Sequence, residues 1–136
     1  MDAGSVMFDL NWLAVIVAAI ATFVLGALWY GPIAGKAWMR ASGMTEEKVA
    51  SANMAKVFAL AFVLQLLAAV ALAMFIGPAA SLSFGLFAGF MTGMFFVGTA
   101  LGVVYLFEQR PMALWAIDGA YQVLAFTLMG GILGAW

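Results

Sequence analysis

The sequence contains no cysteine and no histidine. The first absence excludes disulfides and thiolate nucleophiles, and the second excludes imidazole bases, haem ligation by histidine and nearly all zinc sites. The side chains left for chemistry are those of Asp, Glu, Lys, Tyr, Ser and Thr. We therefore predict no catalytic residue set, no metal site and no cofactor.

Charge is scarce as well, since charged residues make up 8% of the 136 residues, against about 25% in soluble domains. Hydrophobic residues make up 68%. So few charges cannot solvate the surface of a globule, which excludes a water-soluble domain, a disordered chain and a nucleic-acid-binding protein. The composition is that of an integral membrane protein, which we expect to contact membrane lipid.

Long uncharged runs predict four membrane-spanning helices. Runs of 26, 51 and 18 residues follow Asp9, Lys56 and Asp118. Because about 20 apolar residues cross the hydrocarbon core, the longest run holds two spans, divided at Gly77-Pro78. The first run exceeds the roughly 7–15 residues of a signal-peptide core, so we expect it to remain as a span. The chain is then one transmembrane domain, an all-α antiparallel up-down bundle with spans at about 11–30, 56–76, 82–107 and 112–134.

The segment before the second span looks helical too. Thr45 is suited to cap a helix whose first turn carries Glu46 and Glu47. Nothing from there to Ile76 breaks a helix. We expect one helix of about 30 residues, with a cytoplasmic extension that begins at residue 46.

The basic residues predict the orientation. They lie between the first and second spans or at the edges of that connection, and between the third and fourth spans. The positive-inside rule makes that side cytoplasmic, so both termini are expected outside, in the inner membrane of a bacterium. The basic residues are Lys36, Arg40, Lys48, Lys56 and Arg110.

Few polar side chains lie within the spans, and their depths agree. At 1.5 Å per residue, five of them lie about 10–16 Å from the cytoplasmic ends. Asp118 is costly in lipid, by at least about 2.5–3.5 kcal/mol, so it requires a partner, water or protonation. A hydrogen-bonded helix clamp and a proton, ion or solute site both stay open. The candidate residues are Thr22, Gln65, Thr99, Asp118 and Gln122, with Tyr30 and Tyr121 near them.

Two cytoplasmic connections carry further candidates. After the first span we expect a compact turn that seats Trp38 and Lys36 on the bundle, formed with Trp29 and Pro32. In the tight turn between the third and fourth spans, Glu108 and Arg110 flank the membrane surface. We expect Glu108 to accept a hydrogen bond from Lys36, Arg40, Lys56 or the Trp38 indole.

Small residues recur along the first and third spans. In lipid, such stripes let helix backbones approach closely. Packing inside one chain and a subunit interface of a homo-oligomer are both open interpretations. The glycines concerned are Gly26 on the first span and Gly85, Gly89, Gly93, Gly98 and Gly102 on the third.

The chain also resembles a known family. Residues 26–32 (GALWYGP), 35–39 (GKAWM) and 117–121 (IDGAY) are similar to the signature of the membrane proteins called domain of unknown function 1761. The resemblance covers essentially the whole chain. It implies a small four-helix membrane protein and no established activity.

Three functional hypotheses follow. The first is a small homo-oligomeric transporter or channel subunit that uses the polar layer around Asp118. The second is a structural or assembly subunit, with other membrane proteins as partners. The third, an enzyme using Asp, Glu or Tyr on a lipid-like substrate, has no motif to support it. A cavity reaching Asp118 favours transport, and a hydrogen-bonded Asp118 favours the structural role.

Overall fold

A computed structural model of the chain describes residues 9–78 and 80–136. Four helices in this part are long and apolar enough to cross a membrane, which confirms an all-α fold with four candidate spans. Two shorter helices, Gly35–Ser42 and Glu46–Ser51, connect the first two spans. The first to fourth spans are Trp12–Ile33, Met54–Ile76, Leu82–Phe107 and Met112–Ala135.

The first span ends in a π-helical turn. Its α-helical part, Trp12–Leu28, continues into a π-helix at Trp29–Ile33. Pro32 has no N–H to donate to the carbonyl of Leu28, so an α-helical bond is missing there. The wider turn is closed by the Ala34 N–H, which donates to the Trp29 carbonyl at 2.7 Å. Pro32, which we expected in a connection after the first span, therefore lies inside the helix.

The third span is interrupted by a second π-helical segment. It consists of α-helix Leu82–Met91, π-helix Thr92–Gly98 and α-helix Thr99–Phe107. A π-bulge inserts a residue into the α-helical pattern. One residue corresponds to about 100° of rotation at 3.6 residues per turn, so the residues after the segment face a different direction from that of an uninterrupted helix.

The second span is separate from the helix before it, where the sequence predicts one helix from Glu46. That helix, Glu46–Ser51, ends before Ala52, whose backbone is extended. Asn53 then starts the span, since its side-chain oxygen accepts from the Lys56 backbone N–H at 3.2 Å. Asparagine is among the strongest N-caps, so it begins a new helix here rather than continuing the old one.

The fourth span packs against the other three. The third and fourth spans pack side by side. As the chain advances from Ser81 to Gly93, its closest neighbours on the fourth span move back from Gly134 to Gln122. The buried apolar core lies where the first span begins and the second and fourth end. Its residues are Leu10, Val15, Ala18, Ala19, Ala69, Leu72, Ala73, Ile76 and Met129.

Large hydrophobic side chains face outward instead. Phe75 and Phe107 are 87% and 85% exposed. Such faces suit lipid, where apolar side chains gain little from being buried against another helix. The specific contacts that fix the spans relative to one another are therefore those between small residues and between polar groups.

Candidate functional site

Asp118 joins three spans through its two carboxylate oxygens. The hydroxyl of Tyr30 donates to Oδ1 at 2.7 Å, and the hydroxyl of Tyr105 donates to Oδ2 at 2.6 Å. Tyr30 comes from the first span, Tyr105 from the third and Asp118 from the fourth. We call these three residues the Asp118 clamp. Both distances lie in the normal range of O–H···O hydrogen bonds.

Helix geometry explains why these side chains meet. The Cα–Cβ bonds of an α-helix tilt toward its N-terminus. Tyr30 and Tyr105 lie near the C-terminal ends of their spans, so their side chains lean back into the bundle. Asp118 lies near the N-terminal end of the fourth span, and its side chain leans toward that N-terminal end, which brings it toward the two tyrosines. The side chains therefore converge although their Cα atoms lie at different depths.

The π turn of the first span holds Tyr30 in place. The indole of Trp29 donates to the Ile117 carbonyl at 3.1 Å, one residue before Asp118. The ring of Tyr30 packs edge-on against Trp38, with 5.8 Å between ring centroids. Trp38 lies in the short helix Gly35–Ser42, so this helix is tied to the clamp.

Gly35 lets that short helix fold back. The residue is buried, and a Cβ there would lie 2.6 Å from the backbone oxygen of Tyr30. Any other residue would push the helix away from the π turn. We expected both Trp38 and Lys36 to lie against the bundle. Trp38 does so, but Lys36, the residue after Gly35, is exposed.

A second hydrogen-bonded group, the Tyr121 network, consists of Thr22, Gln65 and Tyr121. Gln65 Nε2 donates to the Tyr121 hydroxyl at 3.1 Å, and that hydroxyl donates to the Thr22 carbonyl at 3.0 Å. Thr22 Oγ1 lies 3.5 Å from Gln65 Oε1 and donates to Ala19 at 2.9 Å. The network links the first, second and fourth spans. Its Tyr121 ring lies 5.3 Å from the Tyr30 ring, which joins it to the clamp.

Two of the predicted polar residues lie outside both groups. Thr99 is exposed, and its hydroxyl donates to Phe95 and Phe96 of its own helix at 2.8 and 3.1 Å. The prediction that Thr99 joins the polar layer is wrong, because the π-helical segment ends just before it and changes the direction it faces. Gln122 is half-buried, and its side chain makes no hydrogen bond with residues 9–78 or 80–136.

Glu108 finds its partner within its own turn. Its Oε1 lies 2.9 Å from Arg110 Nε, rather than near Lys36, Arg40, Lys56 or Trp38 as we expected. Gln109 has a left-handed backbone with φ of 59°, and the Arg110 N–H donates to the Tyr105 carbonyl at 2.9 Å. This turn brings the two charged side chains together. The guanidinium of Arg110 also lies 5.3 Å from the centre of the Tyr105 ring.

The glycines of the third span are used for packing inside the chain. A Cβ at Gly85 or Gly89 would overlap the backbone oxygens of Gly130 and Phe126, and one at Gly93 would lie 2.8 Å from that of Gln122. The stripe is therefore filled by the fourth span. The other predicted glycines also have close neighbours within the chain: Gly26 meets the Tyr121 hydroxyl, Gly98 the Gly93 carbonyl and Gly102 the Trp115 indole.

A groove runs along the outer surface between the third and fourth spans. It contains two cavities, of about 310 and 340 Å³, and both are lined by Thr99 and Trp115. The Trp115 indole donates to the Gly98 carbonyl at 2.9 Å. Asp118 lines neither cavity, although Tyr105 lines the larger one. The clamp and the groove therefore touch through one tyrosine.

A model of the family described as Protein of unknown function (DUF1761) matches residues 13–134. The chain belongs to this family. The match confirms the resemblance seen in the sequence. The matched residues of this DUF1761 member include all of the Asp118 clamp and all of the Tyr121 network. Comparison with curated proteins and with solved structures gave no match.

Proposed function

We propose that the protein is a structural or assembly subunit of a membrane complex, in which the polar groups hold four spans in one arrangement. One observation carries the proposal: each carboxylate oxygen of Asp118 accepts a tyrosine hydroxyl from a different span. A carboxylate within a span requires such partners. Here both partners belong to the chain itself, which suits a residue that joins helices.

The position of the polar groups supports this role. The Asp118 clamp and the Tyr121 network lie toward one end of the bundle, and the apolar core lies toward the other. Together they tie all four spans along their length. The large hydrophobic outer faces are then free to contact lipid and other membrane proteins.

We further propose an antiparallel up-down bundle in the inner membrane of a bacterium, with both termini outside. The reversed contacts between the third and fourth spans support the antiparallel arrangement. The positive-inside rule supports the orientation, since all basic residues are exposed and lie in two connections, or in the first turn of the second span, all expected on one side. These are Lys36, Arg40, Lys48, Lys56 and Arg110.

A small transporter or channel subunit is the second candidate. It is favoured by the ring contact between Tyr30 and Tyr121, which joins polar side chains from all four spans into one group around an ionisable residue. A homo-oligomer of this kind would use faces other than the glycine stripe, because the fourth span fills that stripe.

A proton-flux measurement tests the second candidate as a proton transporter or proton channel. The purified protein is reconstituted into liposomes that contain a pH-sensitive dye, and a proton gradient is imposed. For a structural subunit, we expect wild type, Asp118→Asn and Thr99→Val to show the same flux as protein-free liposomes. Flux through wild type and Thr99→Val that is lost in Asp118→Asn would contradict the proposal and support transport.

A further inference from the structure

The groove between the third and fourth spans has the length of a lipid chain. Its larger cavity begins at Arg110 and Pro111, and its smaller cavity reaches Val123. Twelve residues separate Pro111 from Val123, which corresponds to about 18 Å along the fourth span. The surface between these ends is mainly apolar, with Phe95, Val103 and Ala116 among its residues.

The depression is built into the helix pair. The π-helical segment of the third span ends at Gly98, and the carbonyl of Gly98 holds the Trp115 indole at 2.9 Å. A Cβ at Gly102 would lie 3.1 Å from that indole nitrogen. Because Gly98 and Gly102 have no side chains, the surface of the third span is recessed beside Trp115. The hydrogen bond of Trp115 fixes its ring, which lines both cavities.

Charge is found at one end of the groove. Arg110 lines the larger cavity, and its side chain is 47% exposed. Its ion pair with Glu108 is made through Nε, whereas a guanidinium carries five N–H donors in a fork that matches phosphate geometry. Arg110 lies in the turn between the ends of two spans, Phe107 and Met112, and the ends of spans lie near the lipid headgroups.

We propose that the groove binds a phospholipid, with one acyl chain lying from Arg110 toward Val123 and the phosphate held by the Arg110 guanidinium. The two cavities hold only about 310 and 340 Å³, which suits a single acyl chain rather than a helix that is about 10–12 Å wide with its side chains. The two cavities are each at the small end of the roughly 300–1,000 Å³ range of ligand pockets. The proposal stands independently of the structural role above.

Native mass spectrometry of the delipidated protein tests this site. The probes are phosphatidylglycerol, phosphatidylethanolamine and diacylglycerol with the same acyl chains. Ala116→Phe fills the groove, and Ala113→Phe places the same side chain at an exposed position of the same span that lines neither cavity. We expect Ala116→Phe to lose most binding of all three lipids and Ala113→Phe to bind as wild type does, with unchanged melting temperatures for both.

The headgroup contact is tested by a second pair of variants. Arg110→Gln should weaken binding of both phospholipids about fivefold, the effect of one basic side chain near a membrane surface, and leave diacylglycerol unchanged. Glu108→Gln breaks the same ion pair but keeps the cation, so its phospholipid binding should equal or exceed that of wild type. Equal losses in both variants would overturn the phosphate assignment.

Two further results would overturn the site as a whole. One is lipid binding by Ala116→Phe that equals the binding by Ala113→Phe. The other is a dimer of the wild type that dissociates in Ala116→Phe and persists in Ala113→Phe, because the groove would then hold a helix of a second copy.

Discussion

The hydroxyl of Tyr105 donates to Oδ2 of Asp118 at 2.6 Å across only 13 residues of chain. Tyr30 binds the other carboxylate oxygen from 88 residues away. The first contact holds the hairpin of the third and fourth spans at its closed end. The second attaches the first span to that hairpin, so a single carboxylate combines a local and a long-range restraint.

Removing either tyrosine hydroxyl should weaken the bundle. We expect Tyr30→Phe and Tyr105→Phe each to lower the free energy of unfolding by about 0.6–1.7 kcal/mol, from the average to the maximum value for hydrogen bonds between helices in membranes. Reversible unfolding in mixed detergent micelles measures this. Thr99→Val is the control, because its hydroxyl bonds only to its own helix, and it should change little. A loss as large in Thr99→Val would show that the clamp has no special role.

The glycine stripe should matter for stability within one chain. Gly89→Ala places a Cβ against the backbone of Phe126, and we expect a loss of about 1–3 kcal/mol, as for other overpacked sites. Gly31→Ala is the matched control, since a Cβ there meets nothing within 4 Å. The same unfolding assay compares them. If Gly89→Ala kept its stability but lost self-association, the stripe would instead be an interface between copies.

The fold follows from the sequence to a large extent because span length is set by the membrane. Uncharged runs identified four helices without any knowledge of packing. The break at Asn53 was missed because asparagine costs a helix interior less than glycine or proline does, so its presence alone does not predict a break. The π-helical turn at Pro32 was missed because proline usually ends a helix, whereas here a wider turn continues it.

The polar site could be predicted only in part. A depth count from helix ends selected Asp118, Gln65 and Thr22, with Tyr30 near them. The count contains no rotation about the helix axis, so Thr99 was misplaced. Tyr105 was missed because the count follows Cα atoms, whereas a long side chain near a helix C-terminus leans back into the membrane. That lean is a signal that the sequence does carry.

Asn53 should be needed as a cap of the second span. Asn53→Ala removes the oxygen that accepts from the Lys56 N–H, and such changes cost about 0.5–2 kcal/mol. Asn53→Ser keeps a capping oxygen and should restore most of this stability. The comparison is made by unfolding in one detergent. Equal losses for both variants would mean that the cap does not stabilise the span.

The orientation can be tested by fusions. A reporter enzyme that is active only in the periplasm should be active when fused after Trp136. The same reporter inserted after Gly43, in the connection between the two short helices, should be inactive. A reporter that is active only at Gly43 would reverse the orientation. Activity at both positions would contradict the three spans between Gly43 and the C-terminus.

The structural role of Asp118 is tested most directly by the melting temperatures of Asp118→Asn and Asp118→Leu in one detergent. An asparagine amide can accept from one tyrosine hydroxyl and donate to the other, so Asp118→Asn should melt close to wild type. Leucine leaves the Tyr30 hydroxyl without its partner inside the bundle, at about 1–3 kcal/mol, and also removes the partner of the Tyr105 hydroxyl beside the groove, so Asp118→Leu should melt well below it. If Asp118→Leu melts at the same temperature as Asp118→Asn and wild type, Asp118 is not a clamp, and the structural account of this protein is wrong.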